Sequence, residues 1–135
     1  MKRVFVDSNI FLRLFTHGDP SQHERSASLF ADAERGDVTL VCGPPVLFEV
    51  AWTLRSFYRL SREELLDVVA RVLATPGLEL TDRPQVEDAL RRARAARQEF
   101  ADAYIAASLD ASGCGSLATF SREHFAKLGV ALHSF

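Results

Sequence analysis

Apolar residues along the chain fall into short runs and helical stripes, with glycine and proline between them. Val4-Phe5-Val6 is a brief apolar run that predicts a strand. From Asn9 to Thr16, Ile10, Phe11, Leu14 and Phe15 recur on one side of a helix, which the His17-Gly18-Asp19-Pro20 break closes. A second helical pattern covers Ser21 to Glu34 and stops at Gly36. Val38 to Cys42 is apolar and rich in β-branched residues, and predicts a buried strand bounded by Gly43-Pro44-Pro45. Two prolines then open a helix reaching about Arg59, since the first turn does not need the N–H that proline lacks.

Further on, Ser61 followed by Glu64 is a capping box and starts a helix to about Leu73. Pro76-Gly77 turns the chain into a strand over Leu78 to Thr81. Pro84 opens a helix through Arg97, and Phe100 to Ser112 forms another, stopped by Gly113 and Gly115. Ser116 to Thr119 is a fourth strand candidate, a short helix begins near Arg122, and Ala131 to Ser134 is a terminal strand. Short apolar strands alternating with helices indicate an α/β fold, a three-layer α/β/α sandwich with a central parallel sheet. With no repeat, linker or low-complexity tract, residues 1–135 read as one domain.

Composition agrees with this pattern. Hydrophobic residues are 47% of the 135 and charged residues 25%, which excludes a disordered, collagen-like or coiled-coil chain. No apolar run approaches the roughly 20 residues of a membrane span. The segment Met1 to Asp7 has too few apolar residues for a signal peptide, so a cytoplasmic location is expected. Cys42 and Cys114 have no metal-ligand spacing around them and are expected to be small, buried, reduced thiols, with a single bridge as the alternative. Net charge is −2, which at first argues against a nucleic-acid partner. Yet every base except Lys2 and Lys127 is arginine. Phosphate recognition favours the guanidinium fork, and a GC-rich genome gives the same bias.

In open α/β sheets ligands bind beyond the carboxyl ends of the strands. Asp7 stands there, in Asp7-Ser8-Asn9, where a helix cap is the commoner role of such residues. Asp102 has Ile105, Ala106 and Leu109 at i+3, i+4 and i+7, which puts it on the stripe expected to face the core. A carboxylate there needs a cation, donors or a metal, unless it only interacts with the helix dipole. Glu49 lies opposite the stripe of Leu47, Val50, Ala51, Leu54 and Tyr58, and the helical wheel alone makes it solvated surface. Carboxylates converging without His or Cys suit Mg²⁺ or Mn²⁺ and metal-assisted phosphodiester hydrolysis. There is no G-x-G-x-x-G, P-loop or G-x-S-x-G motif, and the four histidines show no ligand spacing. A phospho-aspartate phosphatase would need a second Asp where Asn9 stands.

Four ordered stretches carry a family resemblance: Val4-Phe5-Val6-Asp7-Ser8-Asn9-Ile10, Pro45-Val46-Leu47-Phe48-Glu49-Val50, Phe100-Ala101-Asp102-Ala103-Tyr104-Ile105-Ala106-Ala107, and Leu117-Ala118-Thr119-Phe120 ahead of Phe125. Together they resemble the PIN-domain ribonucleases, specifically the VapC-like toxins of type II toxin–antitoxin pairs, in order and spacing over essentially the whole chain. The resemblance implies an α/β/α sandwich whose acids bind Mg²⁺ or Mn²⁺ at one sheet edge. By position Asp7, Glu49 and Asp102 match the family's core carboxylates, which reverses the wheel's reading of Glu49. Asn9 matches the supporting polar residue and Thr119 the hydroxyl after the fourth strand. Many relatives carry Asp where this chain has Ser121, which puts a second metal in question. Glu123 either substitutes for it or is a solvated first-turn acid.

The resemblance further implies an RNA substrate, a small antitoxin partner that covers the site, and a homodimer. Arg91, Arg92, Arg94 and Arg97 cluster just before Asp102, with Arg13, Arg55, Arg59 and Arg122 as further neighbours for RNA, although an exposed arginine run is ordinarily just solvated. One divalent ion held by the three carboxylates cancels the net charge of −2 and stands where a phosphate must come, so charge distribution matters more than its sum. The leading expectation is a metal-dependent endoribonuclease toxin. The alternative is a catalytically impaired module of the same fold that binds RNA or protein.

Overall fold

The structure is a computed structural model and describes residues 2–135. Three strands, β1 (Lys2–Phe5), β2 (Val38–Cys42) and β3 (Leu78–Leu80), form a parallel sheet in the order β1-β2-β3. Val4 stands beside Leu40, and Leu40 beside Leu78. Parallel neighbours require crossover connections. These are supplied by the helices α1 (Ser8–Phe15) and α2 (Pro20–Glu34) between the first two strands, then α3 (Pro44–Ser56) and α4 (Arg62–Leu73) before the third. Helices α5 (Arg83–Ala96), α6 (Phe100–Ala111) and α7 (Arg122–Lys127) complete the flanking layers of the sandwich.

The hydrophobic pattern explains where each element packs. Val38, Leu40 and Cys42 of β2 are buried together with Leu78 and Leu80 of β3. Against them lie Val46, Leu47, Val50, Ala51 and Leu54 of α3 and Leu65, Val69 and Val72 of α4. The opposite sheet face is partly open: register puts Arg3, Phe5, Val41 and Glu79 there, and Phe5 is 66% exposed. Both Arg3 Nη atoms reach the Glu79 carboxylate across this face, at 3.1 and 2.7 Å.

Helices α5 and α6 form the most extensive helix pair. Ala89 and Ala93 of α5 and Ala103, Ala106 and Ala107 of α6 are all buried, and small side chains let two helices approach closely. At the α3–α6 contact the Phe48 ring lies 5.8 Å from Phe100 and 5.0 Å, edge-on, from Tyr104. Gly77, at the turn into β3, has φ +76°, and a Cβ there would sit 2.5 Å from the Ala33 carbonyl oxygen at the end of α2. Glycine is the residue that fits both constraints.

Two expectations on secondary structure are corrected. Ser116–Thr119 and Ala131–Ser134 do not extend the sheet; they meet at one parallel bridge, Leu117 with Leu132. The Leu117 N–H donates to Ala131 O and the His133 N–H to Leu117 O. These segments are too short and too exposed, with Gly113 and Gly115 just upstream, to bury a pleated face. The third helix ends at Ser56 rather than Arg59, because Arg59 is left-handed (φ 57°) and the Leu60 N–H turns back to Leu54 O.

Candidate acidic site at the carboxyl edge of the sheet

Asp7 follows β1 through Val6, in extended backbone (φ −85°, ψ 167°), and its Oδ1 accepts from the Ser8 N–H at 2.8 Å. It therefore caps α1, as its residue type predicts. The carboxylate is otherwise exposed and has no ion pair among the described residues. Glu49 is exposed on α3 and likewise unpaired, in agreement with the wheel. One turn on, Trp52 is also exposed.

Asp102 occupies the first turn of α6, with its side chain 28% exposed. The stripe expected to bury it is rotated. The core face is Phe100, Ala103, Tyr104, Ala106 and Ala107, while Ile105 is exposed. Bulky Ile105 dominated the periodicity, but the alanine surface of α5 selects the alanine face of α6, so Asp102 stands at its margin. His124 Nδ1 lies 3.8 Å from its Oδ2. Sequence spacing gave no sign of this contact, because α7 comes back to α6 only through the tertiary fold.

The supporting residues lie at the α7 entrance. The Thr119 Oγ1 accepts from the Ser121 N–H at 3.0 Å, and Ser121 makes no side-chain cap. Glu123 is exposed and lies 3.7 Å from Lys127 Nζ, the arrangement of a solvated first-turn acid. Asn9 is exposed and faces a groove between α1 and α2.

All these donors are hard carboxylate, amide or hydroxyl oxygens, and Asp7 and Glu49 are not consumed by an arginine, so the chemistry suits a divalent cation. Among the described residues, however, no three His, Cys, Asp or Glu side chains are gathered closely enough to hold one ion. The elements bring Asp102 to His124 and Thr119 to Ser121; they do not bring Asp7, Glu49 and Asp102 into one coordinating group.

The arginines are sorted by their partners. Arg92 reaches both Asp88 and Asp110, Arg94 reaches Asp67, and Arg91 also pairs with Asp88. Arg55 grips Glu99 through Nε and Nη2, and its Nη1 donates to Leu60 O. Most of the cluster before Asp102 is thus already neutralised. One cysteine expectation is corrected: Cys42 is buried, and burial pushes its thiol up to about 11, but Cys114 is exposed. Both are free.

A three-stranded parallel sheet flanked by seven helices defines an α/β/α sandwich. The chain belongs to the PIN-domain family, whose model, described as PIN domain, matches residues 4–130. PIN domains are generally nucleases, which places this chain among the hydrolases at that coarse level. No curated protein matches it closely in sequence. No helix among the described residues is long and apolar enough to cross a membrane.

Proposed function

We propose that the chain is a divalent-metal-dependent endoribonuclease, the toxin of a toxin–antitoxin pair, with Asp7, Glu49 and Asp102 as metal ligands. The observation that carries this reading is the PIN-family match over residues 4–130, which includes all three positions. A divalent ion held by these carboxylates would activate water for attack and offset phosphate charge. Asp7 is already oriented by its bond to the Ser8 N–H, leaving the rest of its carboxylate free. Asp102 has His124 Nδ1 3.8 Å from its Oδ2, so the imidazole stands beside the proposed ligand. Thr119, Asn9, Ser121 and Glu123 support the edge, and an antitoxin protein and a second copy of the chain are the partners this reading implies.

The test is cleavage of a mixed single-stranded RNA in Mg²⁺ or Mn²⁺. Asp7→Asn and Asp102→Asn are each expected to reduce cleavage by at least a hundredfold, and excess chelator to abolish it. Cleavage that persists in chelator, or unchanged in both variants, rejects the mechanism. A second reading, a binding module that has lost catalysis, is favoured by the neutral Ser121. It predicts RNA or protein binding with no turnover at any metal concentration.

A further inference from the structure

The groove between α1 and α2 encloses about 410 Å³, and Asn9, Ile10, Arg13, Arg25, Ser26 and Leu29 line it. Small-ligand sites span roughly 300–1,000 Å³ and combine apolar walls with a few polar groups, the composition seen here.

Three observations point to an anionic ligand. The first is electrostatic. Arg3, Arg35, Arg55, Arg62, Arg83, Arg91, Arg92 and Arg94 each pair with a carboxylate of this chain; Arg13, Arg25, Arg59, Arg71, Arg97 and Arg122 pair with none among the described residues, and of these six Arg13 and Arg25 line this groove. The second is orientation. Arg13 Nε donates to Gln22 Oε1 at 2.7 Å, and the Gln22 N–H is anchored on Asp19 Oδ1 at 3.0 Å. A guanidinium held through Nε offers its two Nη groups as a fork that matches a phosphate. The third is Ser26. It is only 3% exposed, it lines the groove, and its hydroxyl has no hydrogen-bond partner among the described residues. Among the described residues the only fully buried unpaired side-chain polar atom is Arg62 Nε, so the Ser26 hydroxyl opens onto the groove and is free to donate to a ligand oxygen there.

We propose that this groove binds a backbone phosphate of single-stranded RNA beside the bond to be cut, with Arg13, Arg25 and Ser26 as donors. The assignment rests on the ribonuclease reading of the Asp7 edge. Asn9, two residues from Asp7, lines the same groove, so the groove adjoins the Asp7 turn. Ile10 and Leu29 give the sugar or base an apolar wall. The fork matches phosphate and carboxylate alike, so it is the place of the groove beside the Asp7 turn that favours RNA over an acidic peptide, the competing occupant.

Fluorescence anisotropy of a short labelled single-stranded RNA, titrated with the full chain in excess chelator, tests this without requiring cleavage. Arg13→Gln and Arg25→Gln are each expected to weaken binding about tenfold, the size of one charge-assisted hydrogen bond. Each should also make the log–log salt dependence shallower by about 0.7. Ser26→Ala, which removes only an unpartnered hydroxyl and so keeps the fold, should weaken binding with no change in that slope. Arg91→Gln, whose guanidinium is already paired, should change neither. Unchanged affinity and slope in the Arg13→Gln/Arg25→Gln double variant would overturn the proposal. So would absence of RNA binding by the unmodified chain, or a glutamate-rich peptide that binds through Arg13 and Arg25 when RNA does not. Arginine-dependent binding without metal-dependent cleavage would keep the groove and reject only the hydrolytic reading.

Discussion

Phe100 has two jobs at one position. It buries its ring against Phe48, joining α6 to α3, and it fixes the helical turn from which Asp102 projects. Phe100→Ala should cost about 3–5 kcal/mol, the range for emptying a core aromatic site, read as a lower urea midpoint. The two thiols differ sharply. Cys114 should react with a thiol reagent at pH 8 in the native protein, while Cys42, buried and raised to about 11, should react only on unfolding. Equal native reactivity of both would contradict the packing. Residue chemistry was legible in the sequence wherever it is local, as with the cap at Asp7. It was not legible where it depends on a distant element: the His124 contact of Asp102, and the ion pairs that occupy Arg91, Arg92 and Arg94, join segments that only the fold brings together.

Boundaries of the elements follow from caps and turns that the sequence displays. Ser61 accepts from the Glu64 N–H while Glu64 reaches back to the Ser61 N–H, so α4 begins where the capping box predicts. Ser61→Ala should cost about 1 kcal/mol, measured as a shift of the denaturant midpoint at constant slope. Gly77→Ala should cost more, at least about 1–2 kcal/mol from its left-handed backbone alone, with added conflict against the Ala33 carbonyl. Three strands and all seven helices were readable from periodicity. The last two strand candidates failed because β-branching and short apolar runs do not supply a neighbouring strand, and pairing is a tertiary property. The rotated face of α6 has the same origin: alanines contribute little to a hydrophobic pattern, yet the α5–α6 contact is made of them.

At the scale of the whole molecule, internal ion pairing sets which charges are free to act. Acids and arginines largely cancel one another on α5 and α6, whereas Asp7, Glu49, Arg13 and Arg25 make no ion pair among the described residues. A net charge of −2 therefore says little about which charges are free to meet a ligand. The central proposal is that Asp7, with Glu49 and Asp102, binds a divalent ion, which requires the three to approach more closely than the packed helices hold them. The most direct measurement is the melting temperature of the full chain during Mn²⁺ titration, compared with Asp7→Asn. A ligand held only by the folded state stabilises it by about 2.7 kcal/mol at a hundred times its Kd, which for a domain of this size is a rise of several degrees. The account predicts that rise in the unmodified chain and its loss in Asp7→Asn. A melting temperature that does not move with Mn²⁺, or moves equally in both proteins, would contradict it.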